Sequence, residues 1–399
     1  QAILGQQGRD QGVISLCVLA WYPMPTGASG GLDPLNACQE LSSDLRGLSG
    51  YQDGGSCSSA AEPPAMPDEQ RTKLHAGVKN NLINVLQTVQ AENADLKLWQ
   101  QGFLEVELPM TTLFSLQWLE FEERKDVVKF FCLLLRADGM QQPMADHLRS
   151  RDMFVRMLAD GCNTASTATH CGMILQSLAR HKSITEVLLG HSDRLPIRLV
   201  EISRNSSFDI SSEAFSSLQR LLLTHKEVSS EFLATHYYDF FESLNVVLRT
   251  ADYIAQRQSL KLLSEILLDR NFTKVMLQYI GNVSFLQIHM NLLRDESQAI
   301  QFEAFHVFKI FVANPQKPAQ IQQILFQNKD RLLKLLEKLR ATRAEDKRFA
   351  DDKRTVISKL QALEAPPVLP RSASSVASAM ASSNHDTEAG SPAGSVKVV

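Results

Sequence analysis

Hydrophobic residues recur with helical spacing in three matched segments of the chain. Each segment carries apolar residues at i, i+3, i+6 and i+7, which places them on one face of an α-helix. The three stripes are Phe215, Leu218, Leu221 and Leu222, then Leu260, Leu263, Ile266 and Leu267, then Phe305, Phe308, Phe311 and Val312. Successive stripes are offset by 45 residues, and a small residue precedes each one, at Ala214, Ser259 and Ala304. We therefore predict three equivalent helices whose small residues allow close approach of a neighbour.

The same register extends towards the N-terminus. Cys171 matches Ala214 at an offset of 43 residues, and Val128 matches Cys171 at a further 43. A period of 43 to 45 residues is typical of HEAT and armadillo repeats, which contain two or three helices each. The pattern predicts an all-α, armadillo/HEAT-like, right-handed helical-repeat solenoid with disordered termini. Residues 71–115 are expected to form an N-terminal helical unit, and Leu332 to Leu363, rich in charge, a polar C-terminal cap.

The distribution of glycine and proline divides the chain into three parts. Ten of the 19 Gly and six of the 15 Pro lie in residues 1–67, and only seven Gly and five Pro lie in the 298 residues that follow. So few turn formers exclude an all-β sandwich or barrel in the middle of the chain. We predict that residues 1–67 are a disordered or non-native extension without a packed core. Residues 68–363 form the armadillo-like domain, and residues 364–399 form a disordered Ser/Ala/Pro-rich tail.

Charge and cysteine content narrow the class of protein. The chain has 399 residues, 21% charged residues and a formal net charge of -3, so it offers no reason to expect nucleic acid as a partner. The six Cys form no C-x-x-C motif, which favours reduced thiols and a cytoplasmic location. The early apolar stretch from Val13 to Trp21 has nine residues, which is too short to cross a membrane. We therefore expect no membrane partner.

Motifs for catalysis and metal binding are missing from the sequence. It contains no phosphate-binding glycine loop, serine-hydrolase elbow, zinc-protease motif, kinase catalytic loop or EF-hand calcium loop. The nearest approach to a metal cluster is Cys162, His170 and Cys171, which we interpret as packing because Cys171 falls in a core row. We predict no enzyme activity, cofactor or metal. A scaffold or adaptor for another protein is the favoured class, and an enzyme without a recognised motif is the alternative.

The downstream repeats resemble a specific family. The resemblance is carried by the runs Arg257 to Leu263, Leu267 to Phe272, Met290 to Asp295, Ile300 to Lys309 and Val312 to Pro315. These runs are similar to the calcium-binding protein 39 (mouse protein 25) scaffold family. Earlier runs agree, among them Cys171-Gly172-Met173 and Phe208-Asp209-Ile210, so that the resemblance covers about residues 68–363.

The resemblance implies a function in kinase signalling. Members of the family form a crescent of helical repeats that binds and allosterically activates kinases and pseudokinases of the Ste20 type, without being enzymes. The concave face cradles the kinase fold, and a pocket takes the Trp-Glu-Phe type tail of the pseudokinase STRAD in a complex with the kinase LKB. For this chain the resemblance implies such a partner and a monomer in its absence. A generic helical-repeat adaptor for a different protein is the alternative.

Candidate site residues follow from the positions that match the family. The resemblance assigns Arg257, Lys261 and Met290 to the tail pocket, and Tyr253, Arg270 and Phe272 to the kinase-facing surface. Arg257 and Lys261 are four residues apart and share a helix face, so two cations beside a methionine would suit an acidic, aromatic peptide. Ordinary solvated helix charges are the alternative interpretation.

One segment departs from the family pattern. Between Gly281 and Gln287 the chain carries Val283 and Phe285 where the family has a polar turn. Partner preference is expected to differ at this segment.

Overall fold

The regular elements of the described residues are helices. The computed structural model describes residues 33–51, 65–90, 95–136, 139–340 and 347–365. Its α-helices are α1 Pro34–Ser49, α2 Asp68–Gln90, α3 Leu96–Glu105, α4 Leu108–Ser115, α5 Phe121–Arg136, α6 Gln141–Arg149, α7 Asp152–Cys162, α8 Ala168–Leu178, α9 Lys182–Gly190 and α10 Leu195–Ile202. They continue with α11 Phe208–Thr224, α12 Lys226–Thr235, α13 Tyr237–Thr250, α14 Tyr253–Leu268, α15 Thr273–Ile280, α16 Val283–Leu292, α17 Gln298–Ala313, α18 Ala319–Gln327, α19 Lys329–Lys338 and α20 Lys347–Gln361. A short 3₁₀ helix, Arg270–Phe272, follows α14.

The helices stack as consecutive three-helix units. The third helices pack against one another in chain order, namely α2, α5, α8, α11, α14, α17 and α20. The second helices form another stack, in the order α4, α7, α10, α13 and α16. The first helices form a third stack, in the order α6, α9, α12 and α15. Because each unit packs against the next one along the chain, the helices form a solenoid, and the predicted all-α helical-repeat fold is confirmed.

The hydrophobic stripes lie where the period places them. All twelve stripe residues are buried, and the small residues Ala214, Ser259 and Ala304 are fully buried in the third helices. The register continues into α20 only in part: Phe349, 45 residues after Ala304, packs on Phe305 with ring centroids 5.1 Å apart, and Val356, 45 residues after Phe311, is buried. Sequence periodicity therefore identified the core of the third-helix stack.

The prediction that residues 1–67 lack a packed core is wrong for residues 33–51. Pro34–Ser49 form helix α1, whose buried residues include Cys38, Leu41, Leu45 and Leu48. Proline at the first helical position suits the helix start, and Gly50, with φ of 70°, ends it in the left-handed conformation that glycine adopts readily. The overall abundance of Gly, Ser and Pro obscured an i, i+3, i+7, i+10 stripe that α1 carries.

Helix α1 packs closely on α2, α3 and α4. A Cβ atom added at Gly102 of α3 would lie 3.3 Å from the Leu35 Cα atom, so glycine there allows close approach of the two backbones. Asn81 Nδ2 donates to Asp44 Oδ2 at 3.0 Å, and the buried Ser115 hydroxyl donates to the Leu45 carbonyl at 3.2 Å. The helix thus belongs to the solenoid. The rest of the predicted extension, residues 1–32 and 52–64, and residues 366–399 of the predicted tail lie outside the described residues.

The segment from Gly281 to Gln287 directs its aromatic residue into the core. The Asn282 side chain accepts hydrogen bonds from Ser284 N and Phe285 N and so caps α16. Phe285 is buried and packs on Tyr279 with ring centroids 4.7 Å apart. Phe285 is therefore a core residue.

Among the described residues, no helix combines the length and the apolar character that a membrane crossing requires.

Candidate functional site

Three predicted site residues lie along one face of α14. Tyr253, Arg257 and Lys261 are spaced by four residues, and all three side chains are exposed. Helix α14 begins cleanly because the Asp252 side chain accepts hydrogen bonds from Ile254 N and Ala255 N. An adjacent face, roughly a quarter turn away, buries Leu260, Leu263 and Leu267. We name Tyr253, Arg257 and Lys261 the α14 row.

The α14 row lies beside a half-buried carboxylate of α17. Arg257 Nε is 3.9 Å from Glu303 Oε1, which is a long contact for an ion pair. Burial raises the pKa of Glu303, and the charges of Arg257 and Lys261 oppose that rise. Because the contact is long and the arginine side chain is exposed, the pair contributes little to stability. Arg257 and Lys261 are therefore two exposed cations on whose pairing the stability of the fold depends little.

An exposed aromatic residue on α11 extends the surface. Phe208 is the first residue of α11, is 60% exposed and precedes Tyr253, itself 47% exposed, by 45 residues. Because α11 and α14 are adjacent in the third-helix stack, the two rings lie at corresponding ends of neighbouring helices. In the sequence, Phe208 stands out only as part of a run that resembles the family. The 45-residue offset that aligned the core stripes could have identified it.

Arg270 lies apart from the α14 row. It is exposed at the start of the 3₁₀ helix, beyond the C-terminal end of α14. At 1.5 Å per residue, Tyr253 and Arg270 are separated by roughly 25 Å along the helix axis. Arg270 therefore lies outside the α14 row.

Phe272 does not belong to a kinase-facing surface. Its side chain is fully buried, which contradicts the assignment implied by the resemblance. The Asp269 side chain accepts a hydrogen bond from Asn271 N at 2.9 Å and fixes a 3₁₀ turn that packs against α12. This turn directs Phe272 inwards, where it supports the junction between two units.

Met290 lies in the core and not in an open pocket. It is on α16, in the second-helix stack, with only 7% of its surface exposed. Arg257 and Lys261 are on α14, in the third-helix stack, and are exposed. The structure therefore places the two cations together on one helix face and gives Met290 a packing position.

Replacing Met290 by alanine is expected to destabilise the domain by about 2 to 3 kcal/mol, because a buried thioether would leave a cavity. Thermal unfolding followed by circular dichroism measures this change. Gln287→Ala, at an exposed position one turn earlier on α16, serves as the matched control. An unchanged melting temperature for Met290→Ala would show that the methionine is not part of the core.

Cys162, His170 and Cys171 occupy packing positions. Burial raises the pKa of both thiols, that of Cys171 to about 12, so neither is a ready thiolate ligand. Burial lowers the pKa of His170, whose ring packs edge-on against Phe121 at 5.7 Å. Over the described ranges, no group of three or more His, Cys, Asp or Glu residues is arranged to hold a metal ion.

Known proteins resemble this chain over most of its length. A family model described as Mo25-like matches residues 58–364. The mouse protein "Calcium-binding protein 39-like" is 37% identical over 270 residues, covering 67% of this chain and 78% of the mouse protein. The "Mo25-like protein" of Schizosaccharomyces pombe is 38% identical over 257 residues, covering 64% of this chain and 78% of the yeast protein.

A solved structure gives a weaker likeness. A designed armadillo repeat protein in complex with the peptide (KR)4 covers 70% of this chain and all of its own, with 12% identity and a TM-score of 0.39. The fold assignment rests instead on the helix stacking described above. Helix α1 precedes the residues that the family model matches. The matched residues, the identities and the stacked repeats together show that this chain belongs to the Mo25-like family and is a scaffold-type protein.

Proposed function

We propose that this chain is a non-catalytic scaffold that binds the catalytic domain of a Ste20-type kinase or pseudokinase and favours its active conformation. The contact surface is the exposed side of the third helices, centred on α14. The observation that carries the proposal is the exposed combination of Tyr253, Arg257 and Lys261 on α14 with Phe208 on adjacent α11. Family membership supports the class of partner.

The chemistry of this surface suits a protein partner. Tyrosine and arginine are enriched among the residues that contribute most to binding at protein interfaces. Exposed aromatic rings provide apolar area, and the two cations can meet carboxylates on the partner. Because stacked repeats hold the helices in a fixed order, these side chains are presented on an extended, preorganised surface.

An acidic, aromatic tail of the Trp-Glu-Phe type is the second part of the proposal. Arg257 and Lys261 would meet its acidic group, because both cations are accessible on the same face. Met290 is buried, so we assign it the role of supporting the helices beneath the surface. Binding of such a peptide is expected to weaken with increasing salt, since exposed charge pairs are screened.

Addition of the protein is expected to raise the activity of a purified Ste20-type kinase domain. A scaffold that binds the active conformation more tightly than the inactive one shifts the kinase population towards the active state. A preference of about 3 kcal/mol would allow activation of up to roughly 150-fold. Phosphorylation of a peptide substrate, measured with and without the protein, tests this expectation.

The assay needs two controls. The protein without kinase should transfer no phosphate, and Lys334→Ala on α19, an exposed lysine distant in sequence from the α14 row, should activate like the wild type. Phosphate transfer by the protein alone, persisting through further purification, would favour an enzyme. Activation that is absent at saturating protein would leave the chain as an adaptor for a different partner.

A further inference from the structure

The junction between α8 and α11 contains a half-buried carboxylate that contacts the backbone of the facing helix. Gln176 Nε2 of α8 donates to Glu213 Oε1 of α11 at 2.7 Å. A Cβ atom added at Gly172, one turn before Gln176, would lie 2.2 Å from the same Glu213 oxygen. The carboxylate therefore occupies space that a side chain at position 172 would otherwise fill, and a neutral amide is its hydrogen-bond donor.

Two later junctions of the third-helix stack place a cation opposite the carboxylate. Glu303 of α17 faces Arg257 of α14, with Nε 3.9 Å from Oε1. Asp352 of α20 accepts a hydrogen bond from Lys309 Nζ of α17 at 2.6 Å. A cation at this distance favours the charged form of a carboxyl group. The junction between α8 and α11 differs because Gln176 carries no charge.

The helix that carries Glu213 also lacks a cation one turn before it. At the junction between α11 and α14, Gln219 donates to Glu265 at 3.0 Å, which is again a bond from a neutral amide. Glu265, however, follows Lys261 by four residues on the same helix face, whereas Glu213 follows Asp209 by four residues. Opposite charges at this spacing attract each other and like charges repel. The neighbours of Glu213 on α11 therefore do not favour its ionised form.

The charged groups on the elements packed against α11 are mostly bound elsewhere. Arg198 of α10 pairs with Asp160 and Asp193, and Lys226 of α12 donates to Asp269. The other charged residues of these elements are Asp152 and Arg156 on α7, Glu201 on α10, Glu227 and Glu231 on α12, and Arg257, Lys261 and Glu265 on α14. Over the described ranges, Glu213 forms no ion pair with any of them.

The other titratable groups close to this junction are uncharged near neutral pH. Burial lowers the pKa of His170 to about 4, raises that of Cys171 to about 12, and raises that of Cys162. Burial also raises the pKa of Glu213, to about 7, and the hydrogen bond from Gln176 counteracts only part of that rise. Glu213 is therefore the group of this junction whose charge changes near neutral pH.

We propose that the α8–α11 junction is a proton-dependent contact, which is tight while Glu213 carries a proton and loosens when Glu213 ionises. The neutral carboxyl group still accepts the hydrogen bond from Gln176, and its burial costs little. The carboxylate anion lacks both water and a cation between the two helices, so its ionised form favours an opening that admits water. The competing explanation is that water already solvates the carboxylate, in which case the junction does not respond to pH.

The junction is expected to become less stable as the pH rises. A glutamate in contact with water has an ordinary pKa of 4.5, whereas the pKa of Glu213 in the folded protein is about 7. The closed junction therefore holds the proton more tightly than the open one, and closure is favoured where the proton is bound. The stabilisation is fully present below about pH 4.5 and is lost as the pH rises to about 7 and above.

Carbon-13 NMR of the glutamate carboxyl groups in the full chain tests the ionisation directly. We expect one carboxyl resonance that titrates near pH 7 and is missing from the spectrum of Glu213→Gln. The substitution Gln176→Arg places a cation opposite the carboxylate, as at the junction between α14 and α17, and should lower the pKa of Glu213. A Glu213 resonance that titrates near the ordinary value of 4.5 in the wild type would overturn the proposal.

Hydrogen exchange measures the opening of the junction itself. At pH 8, Glu213→Gln should slow amide exchange in α8 and α11 by at least about tenfold relative to the wild type, because its amide cannot ionise. The difference should be smaller at pH 5.5, where the wild-type carboxyl group is protonated, and exchange in α14 and α17 should be the same in both proteins. Gln176→Arg should also slow exchange in α8 and α11 at pH 8, because the cation stabilises the anion.

Glu186→Gln, at an exposed position of α9, is the matched control and should exchange like the wild type at both pH values. Melting temperatures show whether each variant is folded. Exchange in α8 and α11 that is equal to or faster than that of the wild type in both Glu213→Gln and Gln176→Arg at pH 8 would overturn the proposal.

Discussion

Replacing Leu41 and Leu45 together by alanine is expected to destabilise the N-terminal part of the solenoid by about 4 kcal/mol or more, at about 2 kcal/mol or more for each leucine. Both side chains are fully buried in α1, which packs on α2, α3 and α4. Water cannot replace the packing contacts that either substitution removes, because the side chains around both leucines belong to the same buried core. This loss is a large part of the stability of an ordinary domain.

The expected loss is local, because each unit of a repeat array contacts mainly its neighbours. Hydrogen exchange should therefore accelerate in α2 to α4 and change little in α14 to α17. Glu40→Ala, at an exposed position of the same helix, is the matched control and should alter exchange in neither region. Unchanged exchange in α2 for the double variant would show that α1 is not part of the folded domain.

Replacing Phe272 by alanine is expected to destabilise the protein by about 3 to 5 kcal/mol, because the ring is fully buried between two units. The defect should appear in chemical denaturation as a lower midpoint with a slope close to that of the wild type. This result follows from the inward direction that the Asp269-capped turn gives to the ring. It differs from the surface role that the family resemblance assigned to Phe272.

Arg270→Ala separates the two interpretations of this turn. Arg270 is exposed, so its removal should change the free energy of unfolding by no more than about 0.5 kcal/mol. A Phe272→Ala variant with wild-type stability and reduced kinase binding would restore the surface assignment and contradict the packing described above.

The sequence predicted the solenoid because its signal is repeated. A stripe of four apolar residues recurs at 45-residue offsets, and the small residues before the stripes are buried as expected. Helix α1 was missed because its stripe occurs once, among glycines and serines that are typical of disordered segments. Its burial depends on α2 to α4, which a local pattern cannot show.

The candidate site was predictable where helical geometry decides the direction of a side chain. Arg257 and Lys261 are four residues apart, so their common face followed from the period alone. Tyr253, which the resemblance assigned to a separate surface, lies on the same face because it precedes Arg257 by four residues. Phe272 and Met290 could not be placed in this way. A 3₁₀ turn directs the first inwards, and the stacking of the second helices buries the other. The direction of a side chain at a turn and its burial between repeats both depend on tertiary packing, which the local sequence pattern does not show.

Titration of a fluorescently labelled Ste20-type kinase domain tests the central claim most directly, that the third-helix face around α14 binds a kinase. We predict that a Tyr253→Ala, Arg257→Ala double variant binds at least about 30-fold more weakly than the wild type, at about 1 kcal/mol or more for each side chain. Phe208→Ala should bind more weakly too, whereas Lys334→Ala should match the wild type. All four proteins should retain the same melting temperature, because these side chains are exposed or half-exposed. Equal affinities for the wild type, the double variant and Phe208→Ala would contradict the proposed surface.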